Sequence, residues 1–552
     1  YLYGRVCMPC ARPTNKQTSP HPLPPSMTPA AMDHDLLLLL LASLAAVVAA
    51  TVWHLRGHGS GARKPKLPLP PGPRGWPVLG NLPQLGDKPH HTMAALARHH
   101  GPLFRLRFGS AEVVVAASAK VAGSFLRAHD ANFSDRPPNS GAEHVAYNYQ
   151  DLVFAPYGAR WRALRKLCAQ HLFSARALDA LRTVRQDEAR LMVTRLLSSS
   201  DSPAGLAVGQ EANVCATNAL ALAAVGRRVF GDGVGEGARE FKDMVVELMQ
   251  LAGVFNIGDF VPALRWLDPQ GVVAKMKRLH RRYDRMMDGF ISERGDRADG
   301  DGNDLLSVML GMMRQSPPAG GEEDGIKFNE TDIKALLLNL FTAGTDTTSS
   351  TVEWALAELI RHPDVLKKLQ HELDDVVGNG RLVTESDLPQ LTFLAAVIKE
   401  TFRLHPSTPL SLPRVAAEDC EVDGYRIPKD TTLLVNVWAI ARDPASWGDD
   451  VLEFRPTRFL PGGSHESVDV KGGDYELIPF GAGRRICAGL SWGLRMVTLT
   501  TATLVHAFDW TLVDGMTPEK LDMEEAYGLT LQRAVPLMVQ PVPRLLPSAY
   551  TM

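Results

Sequence analysis

The residues with the most chemistry in the least space are Phe480-Gly481-Ala482-Gly483-Arg484-Arg485-Ile486-Cys487-Ala488-Gly489. One cysteine, Cys487, stands among three glycines, with two arginines just upstream. Glycine lets backbone approach a flat ligand and turn where other residues are strained. Nearby positive charge and backbone N–H groups favour thiolate over thiol. A lone thiolate on an open face suits axial ligation of haem iron, where it pushes electron density onto the metal and favours O–O cleavage. A cysteine in a glycine-rich turn is more often a buried structural residue. The complete pattern Phe-x-x-Gly-x-Arg-x-Cys-x-Gly argues for the ligand.

A second group lies in a helix expected over 335–361 and ended by His362-Pro363. Its first half is apolar, through Leu336, Leu337, Leu338, Leu340 and Phe341, and then runs Ala343-Gly344-Thr345-Asp346-Thr347-Thr348-Ser349-Ser350-Thr351. A hydroxyl-rich run is costly inside a helix. Gly344 removes a side chain, and threonine hydroxyls bonded to backbone carbonyls distort the turn, which predicts a local groove. Splitting O2 requires protons, and an acid beside a hydroxyl, Asp346 and Thr347, forms a relay for them. Trp161 and Arg165, four apart, share a helix face and offer an indole N–H and a guanidinium to a carboxylate. Glu400 and Arg403 are opposite charges at i, i+3.

With these motifs in this order, the chain from about Pro68 to about Pro541 resembles the cytochrome P-450 superfamily of haem-thiolate monooxygenases. The resemblance implies haem b (iron protoporphyrin IX) with Cys487 as axial ligand and Phe480, Gly483, Arg485 and Gly489 around it. It places Trp161, Arg165 and Arg414 at the haem carboxylates and makes Asp346–Thr347 the proton-delivering pair. Glu400 and Arg403 become a buried pair completed by Arg458 of Pro456-Thr457-Arg458-Phe459, serving the fold. Gly344, Thr408 and Leu410 (within Pro406–Arg414), Leu529 and Thr530 become walls of the substrate pocket. Electrons come from NADPH through a membrane-bound NADPH-cytochrome reductase docking on the cysteine side, and O2 is the co-substrate.

A narrower likeness joins VVVAAS at Val113–Ser118, VDVKG at Val468–Gly472, GLTLQR at Gly528–Arg533 and the stretch 477–497 to plant flavonoid 3′-hydroxylases. Gly320-Gly321-Glu322-Glu323 matches their Gly-Gly-Glu-Lys only in part. The likeness implies hydroxylation of the B-ring beside an existing 4′-hydroxyl, on naringenin, dihydrokaempferol, kaempferol or apigenin. The nearest rival is a 3′,5′-hydroxylase, with Thr530 as the discriminating wall. A farther one is another plant hydroxylase of phenolics or terpenoids. Rivals of a different class are a haem-binding sensor or electron carrier, needing no Asp346–Thr347 relay, and a haem-dependent isomerase.

The rest of the chain positions these groups. Its 552 residues are 45% hydrophobic, a globular composition. Lys+Arg 59 against Asp+Glu 61 leaves net charge -2 and gives no electrostatic case for nucleic acid. Six scattered cysteines fit a reducing compartment, and Cys7-x-x-Cys10 lacks the βαβ context of a redox pair.

Residues 1–31 read as an unstructured leader, with Met32 the expected start and Met27 its rival. Residues 32–56 read as a membrane anchor, because Leu36 to Trp53 is apolar apart from Ser43 and Thr51. Asp33 and Asp35 precede that run and Arg56, Arg63, Lys64 and Lys66 follow it. This charge order predicts a single pass in the endoplasmic reticulum with the catalytic domain in the cytosol. Residues 57–80 read as a basic, proline-rich hinge, stiff through Leu67-Pro68-Leu69-Pro70-Pro71-Gly72-Pro73. Residues 81–545 read as one large domain, mainly α with a minor β-sheet region. A hairpin is expected where 103–108 and 113–117 flank Gly109-Ser110, and exposed connectors at 296–304 and 316–324 around a short apolar helix.

Overall fold

The computed structural model describes residues 67–200, 204–231, 236–295, 304–314 and 326–551. The predicted leader, the anchor, Cys7, Cys10 and nearly all of the two connectors lie outside these residues. Among the described residues no helix is long and apolar enough to cross a membrane.

Helix α1 (Pro89–His100) leads into β1 (Leu103–Phe108) and β2 (Ala111–Ala116). Helices α2 (Ala159–Cys168) and α3 (Arg182–Ser198) follow, then β3 (Leu206–Ala207) and the helices α4 (Val208–Val225), α5 (Glu236–Gly253) and α6 (Val272–Gly295). The middle of the chain holds α7 (Glu330–Ala343), α8 (Asp346–Arg361) and α9 (Thr392–Leu404). Strands β4 (Arg414–Val415) and β5 (Thr432–Val435) precede α10 (Leu490–Ala507). Strands β6 (Phe508–Leu512), β7 (Glu525–Ala526), β8 (Gln532–Arg533) and β9 (Met538–Pro543) end the fold. The architecture is mainly helical with small sheets, as the sequence predicts.

The hairpin forms as read. Leu103 pairs with Ala116 and Phe108 with Ala111, and the four-stranded sheet runs β1-β2-β5-β4. Phe104, Leu106 and Phe108 are buried while Arg105 and Arg107 point outward, the alternation that fixes register. Strands β3, β9 and β6 form a second sheet, and β7 with β8 a third. At the helical centre α8 packs on α4 and on α10, and α3 packs on both of those partners. The short helix between the predicted connectors is present at Leu305–Arg314.

The described part of the predicted hinge, residues 67–80, is no free spacer. The compact unit begins at Leu67. The Pro68 carbonyl accepts from Arg426 N and the Pro71 carbonyl from Arg105 N. A Cβ on Gly72 would sit 2.0 Å from the Arg105 carbonyl oxygen, so glycine is what lets this segment lie along β1. The unit also runs past residue 545: the Tyr550 hydroxyl donates to the Ala507 carbonyl and accepts from Arg544 N. Helix α1 is tied across the sheet, with the Nε2 atoms of His90 and His91 3.0 and 2.8 Å from the Glu525 carboxylate.

Candidate active site

The cysteine loop is built by backbone bonds. Cys487 N donates to the Phe480 carbonyl at 3.0 Å, and Ile486 N to that of Gly483. Gly481 and Gly483 both have φ +70, a conformation that strains other residues. A Cβ on Gly483 would stand 2.2 Å from Asp130 Oδ1, so this glycine makes room for a protein carboxylate and not for a ligand. Asp130 in turn accepts from Arg484 N and from Arg414 Nη1 at 3.2 Å, fastening the loop to the segment before Ser134. Phe480 packs edge-on against Phe402, centroids 5.2 Å apart, and Gly489 lies beside the Cys487 sulfur.

Cys487 is solvent-accessible although it sits deep among protein atoms. Burial raises its pKa, while the Gly489 N–H and the Arg165 charge act in the opposite sense. The expected help from Arg484 and Arg485 is absent. Arg484 is spent on Asp130 and Tyr157, and Arg485 on the carbonyls of Ser134 and Ala155 at 2.6 and 2.5 Å. The cation acting on the sulfur comes from α2 instead.

Around this loop the guanidiniums outnumber the carboxylates they touch. Trp161 lies under two of them, with the Arg485 and Arg165 carbons 4.8 and 5.4 Å from its ring centre. The indole N–H is taken by the Leu152 carbonyl at 3.0 Å and Arg165 Nη1 by that of Ile486 at 2.8 Å. The pair therefore shares a face, as its spacing predicts, yet both donors already have protein partners. Arg414 reaches Asp130 and the Ala482 carbonyl.

Arg136, which no sequence pattern marks, is half-buried and donates to the carbonyls of Val153, Leu412 and Pro413. Burial lowers the pKa of Arg136, Arg165 and Arg414, and that of Arg485 to about 10. Arg485 Nη1 is buried with no partner. An orphaned guanidinium nitrogen inside a group of desolvated cations is the signature of a missing anion.

The predicted helix 335–361 is two helices. It begins earlier, at Glu330, through a capping box in which Asn329 and Asp332 exchange side-chain and backbone bonds. It breaks between Ala343 and Asp346. At the break the threonine hydroxyls turn back on the ladder. Thr342, Thr345 and Thr347 donate to the carbonyls of Leu338, Phe341 and Ala343, each at 2.7 Å.

Gly344 does not itself open a groove. A Cβ there would meet Leu220 at 2.6 Å, so its empty side is filled by α4. The accessible side is that of Ala343 and Thr347. Between 332 and 360 every described side chain is buried except those of Ala343, Thr347 and Glu353, with Gly344 also half-open.

Asp346 is buried on another face. Gln532 Nε2 donates to its Oδ1 at 2.7 Å, and Oδ2 has no partner. Burial raises its pKa, while Thr530 and Gln532 act in the opposite sense.

Of the predicted pocket walls, Thr408 and Leu529 are half-open. Leu410 is buried in a cluster with Leu434 and Phe104. Thr530 is buried too, its hydroxyl 3.4 Å from Met249 Sδ, so it is not the exposed wall that ring discrimination would need. The two wall segments do meet on α8. Leu531 N donates to the Ser407 carbonyl, Ser350 Oγ to that of Leu531, and Thr351 and Ser407 hydroxyls lie 2.9 Å apart.

Glu400, Arg403 and Arg458 come together fully buried, as read. Arg403 donates twice to Glu400 (2.8 and 2.9 Å), Arg458 Nε once (3.1 Å), and Arg455 N once (2.8 Å). Arg403 also holds the carbonyls of Ala441, Val451 and Glu453.

The family model described as Cytochrome P450 matches residues 70–539. The chain belongs to the cytochrome P450 family. It is 76% identical over 531 residues to a flavonoid 3′-monooxygenase of Oryza sativa subsp. japonica, covering 94% of this chain and 100% of that one. It is 62% identical to the flavonoid 3′-monooxygenase of Petunia hybrida, with 88% and 94% covered. A flavonoid 3′,5′-hydroxylase of Crocosmia x crocosmiiflora is 56% identical, with 92% and 97% covered. Among solved structures, a zebra fish cytochrome P450 with progesterone superposes with a TM-score of 0.70 at 26% identity, covering 82% of this chain and 99% of that one.

The P450 is thus a monooxygenase that uses thiolate-ligated haem, O2 and electrons passed from NADPH by a reductase. The residues fit that group. An accessible sulfur, an unpaired guanidinium nitrogen and an excess of cations suit an iron porphyrin with two carboxylates.

Proposed function

We propose that this P450 hydroxylates the 3′ position of a flavonoid B-ring, taking naringenin, dihydrokaempferol, kaempferol or apigenin. The observation that carries this reading is 76% identity along nearly the whole chain with the rice flavonoid 3′-monooxygenase. Cys487 would hold the haem iron through its sulfur, and coordination to the metal would offset the burial that raises its thiol pKa. Arg485 would hold a haem carboxylate through its unpaired Nη1, with Trp161, Arg165 and Arg414 beside it. When bound, the haem supplies activation of O2, and its thiolate ligand favours O–O cleavage.

The protein's own residues do the rest. Phe480, Gly483 and Gly489 shape the loop that presents the sulfur. Glu400, Arg403 and Arg458 clamp the segments around it. Burial favours the protonated form of the Asp346 carboxyl, and the accessible Thr347 hydroxyl passes protons to the open face of the broken helix. Gly344, Thr408, Leu410, Leu529 and Thr530 frame the substrate side, with Leu410 and Thr530 acting from behind the wall.

Residues 1–31 are a leader, 32–56 a single membrane anchor and 57–66 a basic linker to a domain that begins at Leu67. The domain faces the cytosol at the endoplasmic reticulum and meets its reductase there. Expression in microsomes with a reductase and NADPH, with naringenin or dihydrokaempferol and mass analysis of products, tests the reading. One added oxygen beside the 4′-hydroxyl is expected. Two added oxygens would transfer the assignment to the 3′,5′-hydroxylase reading, which the Crocosmia relative makes specific. No added oxygen would overturn the flavonoid assignment.

A further inference from the structure

The broken helix α7–α8 carries two separate accessible features. One is the Ala343–Thr347 face. The other is Glu353, seven residues beyond Asp346 and therefore on the same helical face as Asp346, about 100° of rotation away from Thr347. Ser349 and Ser350 stand between the two acids on that face. All four line one cavity of about 280 Å³, closed opposite by Gln210 and Asn213 of α4. Asn213 Nδ2 donates to Ser349 Oγ at 3.3 Å.

Asp346 presents an unpartnered buried oxygen, Oδ2, while Gln532 fixes the other oxygen. Glu353 is held by Leu537 N, which donates to Oε1 at 2.7 Å, and Gly209 leaves room for Oε2, since a Cβ there would lie 2.3 Å from it. Burial raises the pKa of both carboxyls, so each keeps a proton farther toward neutral pH. Phe230, Phe241, Val245 and Val246 make much of the lining apolar, while the Asp346–Glu353 wall with Gln210 and Asn213 offers hydroxyl, amide and carboxyl partners to a file of waters.

We propose that this cavity is the proton inlet of the enzyme, with Glu353 as the acid that takes protons from solvent and passes them through water to Asp346. This rests on the assignment of Asp346 as the acid behind Thr347. A flat apolar substrate lying over the Ala343–Thr347 face excludes water there, so the protons consumed in each turnover need an entrance that substrate does not close. The Asp346–Glu353 face provides one. Each transfer moves a proton only: Asp346 gives its proton toward Thr347 and is left a carboxylate, Oδ2 regains one from the water chain, Glu353 gives one to that chain, and solvent reprotonates Glu353.

The test uses the reductase-coupled holoenzyme. Glu353→Gln keeps an acceptor for Leu537 N, and haem content from the reduced-minus-CO spectrum reports that the variant folds. We expect peroxide released per product to rise about tenfold and Glu353→Asp to recover part of the loss. A second readout needs no turnover. In the resting enzyme, hydrogen–deuterium exchange of the protonated Asp346 carboxyl, followed by its infrared band and assigned with Asp346→Asn, should slow by a similar factor in Glu353→Gln. If Glu353→Gln leaves both readouts unchanged while Asp346→Asn raises peroxide release, the inlet is elsewhere and the acid role stands. If Asp346→Asn also leaves peroxide release unchanged, the acid assignment itself is wrong.

Discussion

Replacing Glu400 by Gln changes one oxygen to an NH2 group and removes one charge from a site with no solvent access. Glu400 accepts four hydrogen bonds. With the amide oxygen at the Oε1 position, three survive: from Arg403 Nη2 (2.9 Å), Arg458 Nε (3.1 Å) and Arg455 N (2.8 Å). The new NH2 then faces Arg403 Nε at 2.8 Å, donor against donor. Two buried guanidiniums also lose their shared anion, leaving Asp450, 3.4 Å from Arg458, as the carboxylate at hand. Breaking a buried pair from one side costs about 3–5 kcal/mol, a large part of the roughly 5–15 kcal/mol that holds a domain together. Denaturant unfolding of the holoenzyme should show that loss, and the fraction of chains carrying haem should fall with it. A Glu400→Gln enzyme within about 1 kcal/mol of the parent, fully loaded with haem, would refute the claim that this triad holds the cysteine side of the fold.

Three further outcomes follow from the geometry. Gly483→Ala forces a side chain into φ +70 and onto Asp130; about 1–2 kcal/mol of backbone strain alone should lower the melting temperature, and an unchanged melt would contradict the loop geometry. Thr347→Ala should leave haem uptake intact and divert reducing equivalents to peroxide, measured as product formed per NADPH consumed; an unchanged yield removes Thr347 from the relay. Burial raises the Asp151 pKa from 3.8 to about 6. The folded state then binds more protons between those values, so stability falls as pH rises through them, by about 3 kcal/mol in all. Asp151→Asn should flatten that slope in unfolding free energies measured across the same window, and an equally steep slope would assign it to other groups.

What the sequence made legible was local. The cysteine loop, the β1–β2 hairpin, and Glu400 with Arg403 each depend on residues a few positions apart, and Arg458 adds a short motif. Their types and spacing carry the geometry. The helix break was legible only as a local distortion around Gly344, since Thr348 and Thr351 bond back one turn in the same way and leave the ladder of α8 unbroken. The true start of that helix was also written in the chain, as Asn329 and Asp332 three apart, but the apolar run at Leu336 draws the eye past it.

The rest depends on long-range approach. Asp130 meets Arg484 across 354 positions, and Gln532 meets Asp346 across 186. No periodicity announces such pairs. Arg136 lies in irregular chain, where only the packed structure reveals that its donors end on three carbonyls. Gly344 and Gly483 were legible as glycines but not in their purpose. Each makes room for a neighbouring protein atom and not for the ligand.

The reduced-minus-CO difference spectrum of membranes holding equal amounts of the parent chain and of Cys487→Ser addresses the central assignment most directly. The parent should give the absorption of a thiolate-ligated haem, and Cys487→Ser should lack it whether or not the variant retains porphyrin. The same thiolate spectrum from Cys487→Ser, or a parent chain that takes up haem through a different side chain, would contradict the account.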